Sequence, residues 1–153
     1  MNKKINIINK KAKFEYTLMD QFSAGIVLTG TEIKSIRANK ASISESFCEF
    51  NDSGELFIIN MFIDEYSFGN QFNHKTRNQR KLLLNKKELN KLYKQVKNTG
   101  LTIIPLKVFI NEKGYAKLLI SLAKGKKIYD KRQSIKNREN KIQLDRIKKG
   151  KNN

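Results

Sequence analysis

The last thirty residues carry as much net charge as everything before them, and that split governs what this chain can fold into. From Lys124 to Asn153 there are 12 basic and 3 acidic residues, a net +9, against 20 basic and 11 acidic before them, again +9. Charge at that density repels itself unless a polyanion neutralises it, so a nucleic acid is the first partner to consider. Beyond Ala123 the only large apolar side chains are Ile128, Tyr129, Ile135, Ile142, Leu144 and Ile147. They are too few to offset the ordering entropy of such a segment. Ile128, Ile135 and Ile142 recur every seven positions without an intervening proline, so a helix with one narrow apolar stripe can form on a suitable surface. The expectation is a tail disordered when free and helical when bound.

The remaining residues suffice for one core. The expected division is an N-terminal extension over 1–8, a body over 9–123 and the basic tail over 124–153. No apolar run is long enough to span a bilayer, and the stretch from Met1 to Ile8 has too few apolar residues for a signal peptide, so a cytoplasmic monomer with no membrane partner is expected. Cys48 is the only cysteine and His74 the only histidine. That excludes an internal disulfide and any paired-cysteine or two-histidine metal site. Without a P-loop, a strand-framed GxGxxG or a GxSxG elbow, no cofactor, metal or catalytic residue is expected. Cys48, between Phe47 and Phe50, reads as a small core hydrophobe.

Phe14 to Leu28 suits two short strands or one long bent strand. In TEIKSIR a short helix capped by Thr31 exposes Lys34 and Arg37. Ser46 to Phe50 and Leu56 to Ile63 flank the turn residues Asn51 to Gly54 and form a hairpin with a central second strand. Asn85 caps the clearest helix, with Glu88 three residues on, an apolar stripe of Leu89, Leu92, Tyr93 and Val96, and Gly100 at its end. A second hairpin alternates Ile104, Leu106, Val108 and Ile110 against Ala116, Leu118, Ile120 and Leu122, and Pro105 makes its first strand an edge or an unevenly paired one. This set of elements is mainly β with peripheral helices. It fits a small closed barrel of the oligonucleotide-binding type (an OB-fold-like barrel), or alternatively an open antiparallel sheet with helices on one face.

The polar stretch from Asp64 to Arg80 interleaves Tyr66, Phe68 and Phe72 with His74, Lys75, Arg77 and Arg80. That offers stacking faces for bases and cations for phosphates, unless the aromatics tuck into the barrel mouth and the charges merely solvate the loop. Lys124, Gly125, Lys126 and Lys127 bring three cations to one barrel edge. Glu32, Asp64 and Glu65 are the only acids to consider for catalysis, since they lie near turns that could face a cleft, and no spacing among them sets up the carboxylate pair that acid–base or metal-dependent chemistry needs; Glu32 reads as ordering its helix start.

Five ordered blocks resemble one family: NKKAKFEY (Asn9 to Tyr16), AGIVLTGTEIKSIR (Ala24 to Arg37), GNQFNH (Gly69 to His74), RKLLLNKKE (Arg80 to Glu88) and LAKGKKIYDKR (Leu122 to Arg132). Together they resemble the SsrA-binding proteins, or small protein B, partners of transfer-messenger RNA in bacterial ribosome rescue. The resemblance implies an oligonucleotide-binding-type barrel, no catalysis, a body that grips the tRNA-like domain of that RNA, and a tail that enters the small-subunit decoding centre and the mRNA channel. It places Asn9, Lys10, Tyr16, Lys34, Arg37, Asn73 and His74 on or behind the RNA-binding side, with Lys124, Lys126 and Lys127 leading into the tail. Lys75 and Arg77 join them from the loop reading. Tyr129 is similar to the residue that stacks on a decoding-centre base, followed by Asp130, Lys131 and Arg132. Ser23 departs from the pattern, standing where many relatives have a glutamate implicated in RNA binding. The alternative function is a structural ribosomal or general single-stranded RNA-binding protein; a metal-dependent nuclease built on Glu32 or Asp64 lacks carboxylates.

Overall fold

The computed structural model describes residues 5–68 and 73–126. In chain order the elements are β1 (Ile7–Ile8), α1 (Ala12–Glu15), β2 (Tyr16–Ile26), α2 (Gly30–Arg37), β3 (Ala41–Ser42), β4 (Phe47–Phe50), β5 (Leu56–Ile59), β6 (Phe62–Ile63), β7 (Arg80–Leu83), α3 (Lys86–Thr99), β8 (Thr102–Ile110) and β9 (Ala116–Gly125). Strands β8, β4, β5, β7, β2 and β9 pair in that order, and β9 returns to β8, so six strands form a ring. The ring is uneven, since β4 meets β8 through the single pair Cys48–Ile103. β1 adds to the outside of β8 within the stretch expected to be an extension, and it puts Ile7 in the core; β9 runs two residues past Ala123. β3 and β6 form a separate two-stranded sheet.

Both long hairpins turn by the same device. Asn51 Oδ1 accepts hydrogen bonds from the amides of Ser53 and Glu55, and Asn111 Oδ1 from those of Lys113 and Tyr115. Gly54 and Gly114 then take φ of +81° and +86°, which a side chain would resist. The first hairpin is shorter than expected. Its second strand stops at Ile59 because Asn60 adopts φ 63°, and the chain resumes as β6 in the other sheet.

The stretch after Phe14 is one long strand, β2, preceded by the short α1 that the apolar pattern did not indicate. β2 shifts register between Leu18 and Gln21, and β8 does so between Pro105 and Lys107, where proline has no amide to donate. The β8 irregularity corrects the expected alternation. Ile103 and Val108 point into the ring, whereas Ile104 and Leu106 pack outside it with Ala12, Tyr16, Leu18 and Ala123. Inside, Leu56, Ile58, Met61, Ile63, Leu118 and Ile120 are fully buried, each such side chain stabilising by about 1.5–3 kcal/mol. α3 starts where Asn85 accepts from the Glu88 amide at 2.8 Å and ends at Gly100 with φ 67°. It buries Leu92 and leaves Tyr93 partly exposed, edge-on to Phe50.

Candidate nucleic-acid interface

Two corrections organise the α2 side. The helix cap is Thr29 rather than Thr31: the Thr29 hydroxyl accepts from the Glu32 amide, and the Glu32 carboxylate accepts from the Thr29 amide at 2.9 Å. Arg80, grouped by sequence with the phosphate-binding cations, is buried. Its Nε pairs with the Glu32 carboxylate, Nη1 donates to Met61 O at 2.6 Å, and Nη2 donates to the carbonyls of Lys75 and Thr76 at 3.1 and 3.3 Å. One guanidinium therefore ties α2, the residue before β6 and the loop ahead of β7 together.

That loop is shaped from within. The Asn73 side chain accepts from the amides of Tyr66 and His74 and donates to Tyr66 O at 2.8 Å. His74 places Nε2 3.0 Å from Ile63 O and Nδ1 2.8 Å from the Thr31 hydroxyl. A carbonyl can only accept, so Nε2 carries the proton. Asn73 and His74 thus support the loop, and Tyr66 reaches the surface with Phe68 edge-on at 5.6 Å and the Lys34 ammonium 5.3 Å from its ring centroid. Phe68 is 81% exposed. Lys34, Tyr66 and Phe68 so form a stacking platform with a cation beside it. Lys75 is exposed, and Arg77 lies over Phe62 and donates to Asn60 Oδ1. Gly69 to Phe72 lie outside the described residues. Asp64 Oδ1 accepts from the Glu65 amide, and Glu32 is committed to its helix and to Arg80, so no carboxylate pair forms here.

The opening block and the end of β9 make a second group. Tyr16 pairs with Gly125 and Thr17 with Lys124, while the Lys126 amide donates to Glu15 O and its ammonium to Lys13 O. Tyr16 is half-buried and packs beside Ala123; Asn9 is buried, its Nδ2 donating to Pro105 O; Lys10 and Lys124 are exposed. The Lys11 ammonium pairs with Glu45 at 3.0 Å, a hydrogen bond that holds its pKa above the ordinary value. Lys127, Tyr129, Asp130, Lys131 and Arg132 lie outside the described residues. Arg37 belongs to neither group, since its guanidinium donates to Gly114 O at the tip of the second hairpin.

A further surface holds one residue that the sequence singles out, Ser23, and others that it does not. On the outer face of β7, β2 and β9, Leu83 and Lys117 flank Gly25, and a Cβ built on Gly25 would lie 3.4 Å from Leu83 Cβ and 3.7 Å from Lys117 Nζ. Leu83 is an exposed apolar side chain, and Ser23 lies exposed two residues along the same strand face. Gly25 itself is buried beneath Leu83 and Lys117, and a glycine in mid-strand was the available signal for such close packing. Cys48 is buried, and burial pushes its thiol pKa up, so it is no nucleophile. Among the described residues no cluster of three or more His, Cys, Asp or Glu could hold a metal ion, and no helix is long and apolar enough to cross a membrane.

Known proteins resemble the chain over nearly its full length. The SsrA-binding protein of Flavobacterium johnsoniae is 64% identical over 152 residues, covering 99% of this chain and all of that protein. The SsrA-binding protein of Agrobacterium fabrum is 49% identical over 147 residues, covering 96% and 91%. A solved structure described as "tmRNA-SmpB: a journey to the center of the bacterial ribosome" superposes with a TM-score of 0.66 at 46% identity, over 80% of this chain and 85% of that one. The family model described as SmpB protein matches residues 6–150, and the chain belongs to the SmpB family.

Proposed function

We propose that the chain is an RNA-binding adaptor that binds the tRNA-like domain of transfer-messenger RNA, the SsrA RNA, and delivers it to stalled ribosomes for trans-translation. The observation that carries this is full-length similarity to SsrA-binding proteins, joined by the likeness to a tmRNA-SmpB structure of the bacterial ribosome. The surfaces suit the task. The uneven six-stranded ring presents a stacking platform at Lys34, Tyr66 and Phe68 and a sheet face at Gly25, Leu83 and Lys117. Binding, not catalysis, is the activity, and the cytoplasm is its setting.

The division of labour is part of the same reading. Residues 9–123 hold the RNA, while residues 124–153 act in the decoding centre and mRNA channel through Tyr129, Asp130, Lys131 and Arg132. Deleting residues 128–153 leaves RNA affinity within about tenfold, or ~1.4 kcal/mol, yet abolishes peptide tagging on stalled ribosomes; equal tagging by the truncated chain refutes the division. The adaptor prefers a folded tRNA-like elbow to unstructured RNA of equal length, and the reverse preference identifies a general single-strand binder.

A further inference from the structure

Between α1, the β3–β4 connection and the start of β8 lies a cleft of about 220 Å³, lined by Asn9, Glu15, Tyr16, Glu45, Ser46 and Phe47 among others. Two buried polar atoms on these lining residues have no partner among the described residues: Asn9 Oδ1 and Ser46 Oγ, on residues only 9% and 7% exposed. The amide orientation of Asn9 is set by its neighbour. Nδ2 donates to Pro105 O at 3.0 Å, which leaves Oδ1 as the empty acceptor. Buried acceptors without donors are rare in folded proteins, so whatever completes this cleft supplies N–H or O–H groups.

We propose that the cleft takes one unpaired guanine base of the bound RNA, an inference that rests on the adaptor reading above. The donor count selects the base. Asn9 Oδ1 and the carboxylates of Glu15 and Glu45 can only accept from a neutral base, and Ser46 Oγ can do either. Guanine alone presents two adjacent donor groups on one edge, N1–H and the N2 amino group; adenine, cytosine and uracil each present one there. The shape agrees. The volume falls below the roughly 300–1,000 Å³ of a drug-sized pocket, which suits a single base, and Tyr16 and Phe47 supply flat apolar walls for it. The surrounding charge selects a nucleotide over a bare cation. The Lys11 ammonium already pairs with Glu45, and the exposed Lys10 and Lys13 neighbour the lining residues Asn9 and Ala12 in the chain; this positive charge opposes a metal ion or an amine and favours a ligand with a phosphate attached.

Isotope-labelled full-length chain titrated separately with guanosine, adenosine, cytidine and uridine 5′-monophosphates tests this by nuclear magnetic resonance. The expected result is that the guanine nucleotide shifts the Asn9 side-chain amide and the Ser46 and Phe47 backbone amides, with a dissociation constant at least tenfold below the other three. Ser46→Leu, which fills the cleft, abolishes those shifts. Ser46→Ala, which removes only the hydroxyl and keeps the fold, weakens them several-fold. Equal response to all four nucleotides, or no response with a bound water still detected beside Asn9, overturns the inference. Affinity of the unaltered chain for the tRNA-like RNA is measured alongside. If that affinity is selective while the guanine response is absent, the cleft inference fails and the adaptor reading survives; if selectivity is absent, the adaptor reading itself fails.

Discussion

Arg80 offers the sharpest test of how the fold builds its RNA-facing loop. Its guanidinium makes one ion pair and three bonds to carbonyls, and its side chain and that of Glu32 are only 2% and 6% exposed. Replacing Arg80 by Met removes the cation and strands the Glu32 carboxylate in the interior, a loss of about 3–5 kcal/mol. Arg80→Lys keeps the charge but offers one nitrogen in place of a planar fork, so it forfeits at least one charge-assisted bond, about 1.5–3 kcal/mol. With a urea dependence of about 2 kcal/mol per molar, Arg80→Met lowers the unfolding midpoint by roughly 1.5–2.5 M. Pairing Arg80→Met with Glu32→Gln recovers part of the loss, because the stranded charge is gone, and the double-mutant cycle is non-additive by at least about 1 kcal/mol. Urea unfolding followed by circular dichroism reads all four variants. A midpoint shift below about 0.5 M for Arg80→Met, or strict additivity in the cycle, would refute the claim that this pair ties α2 to the loop.

Other expectations come from single sites. Gly25→Ala places a methyl at ordinary contact distance from Leu83, so thermal stability holds within a few degrees while RNA affinity drops several-fold in a filter-binding assay; unchanged affinity removes the Gly25 face from the interface. The hydrogen bond from Lys81, followed by that from Asn51, holds the Glu55 carboxyl below its ordinary value of 4.5. A depressed folded-state pKa gives stability that is present above that ordinary value and lost as pH falls through the folded one. The melting temperature of Glu55→Gln therefore varies less with pH across the acid limb than that of the unaltered chain, and parallel acid limbs contradict this. Cys48, buried with its thiol pKa raised, reacts with a thiol reagent only as fast as the fold opens, so its rate climbs with urea; fast labelling in plain buffer contradicts that burial.

How much the sequence revealed depended on whether the chemistry was local. Asn51 to Gly54 and Asn111 to Gly114 announce their turns because the Asx side chain and the glycine act within four residues. Asn85 with Glu88 is equally local. The cap of α2 was legible too, since a capping box needs Glu three residues after its threonine; Thr29 satisfies this and Thr31 does not. The β8 irregularity was half visible, as Pro105 warned of uneven pairing, but which side of the ring Ile104 and Leu106 would occupy depended on β2 and α1 beside them. Arg80 and the Gly25 face were hidden for the same reason. A buried arginine and a phosphate-binding one look alike until a distant Glu32 is found beside it, and Gly25 gains meaning only when Leu83 and Lys117 arrive from other strands.

The anchorage of Lys126 has a mechanical consequence. Its amide and ammonium are moored to the carbonyls of Glu15 and Lys13, and the strand behind it is zipped to β2 on one side and β8 on the other. Tension applied from beyond residue 126 must first break those two moorings, after which it meets two rows of backbone bonds. A load along the strand axis strains those rows in shear together, not one at a time as in peeling, so the body resists being dragged apart by whatever holds its C-terminal end.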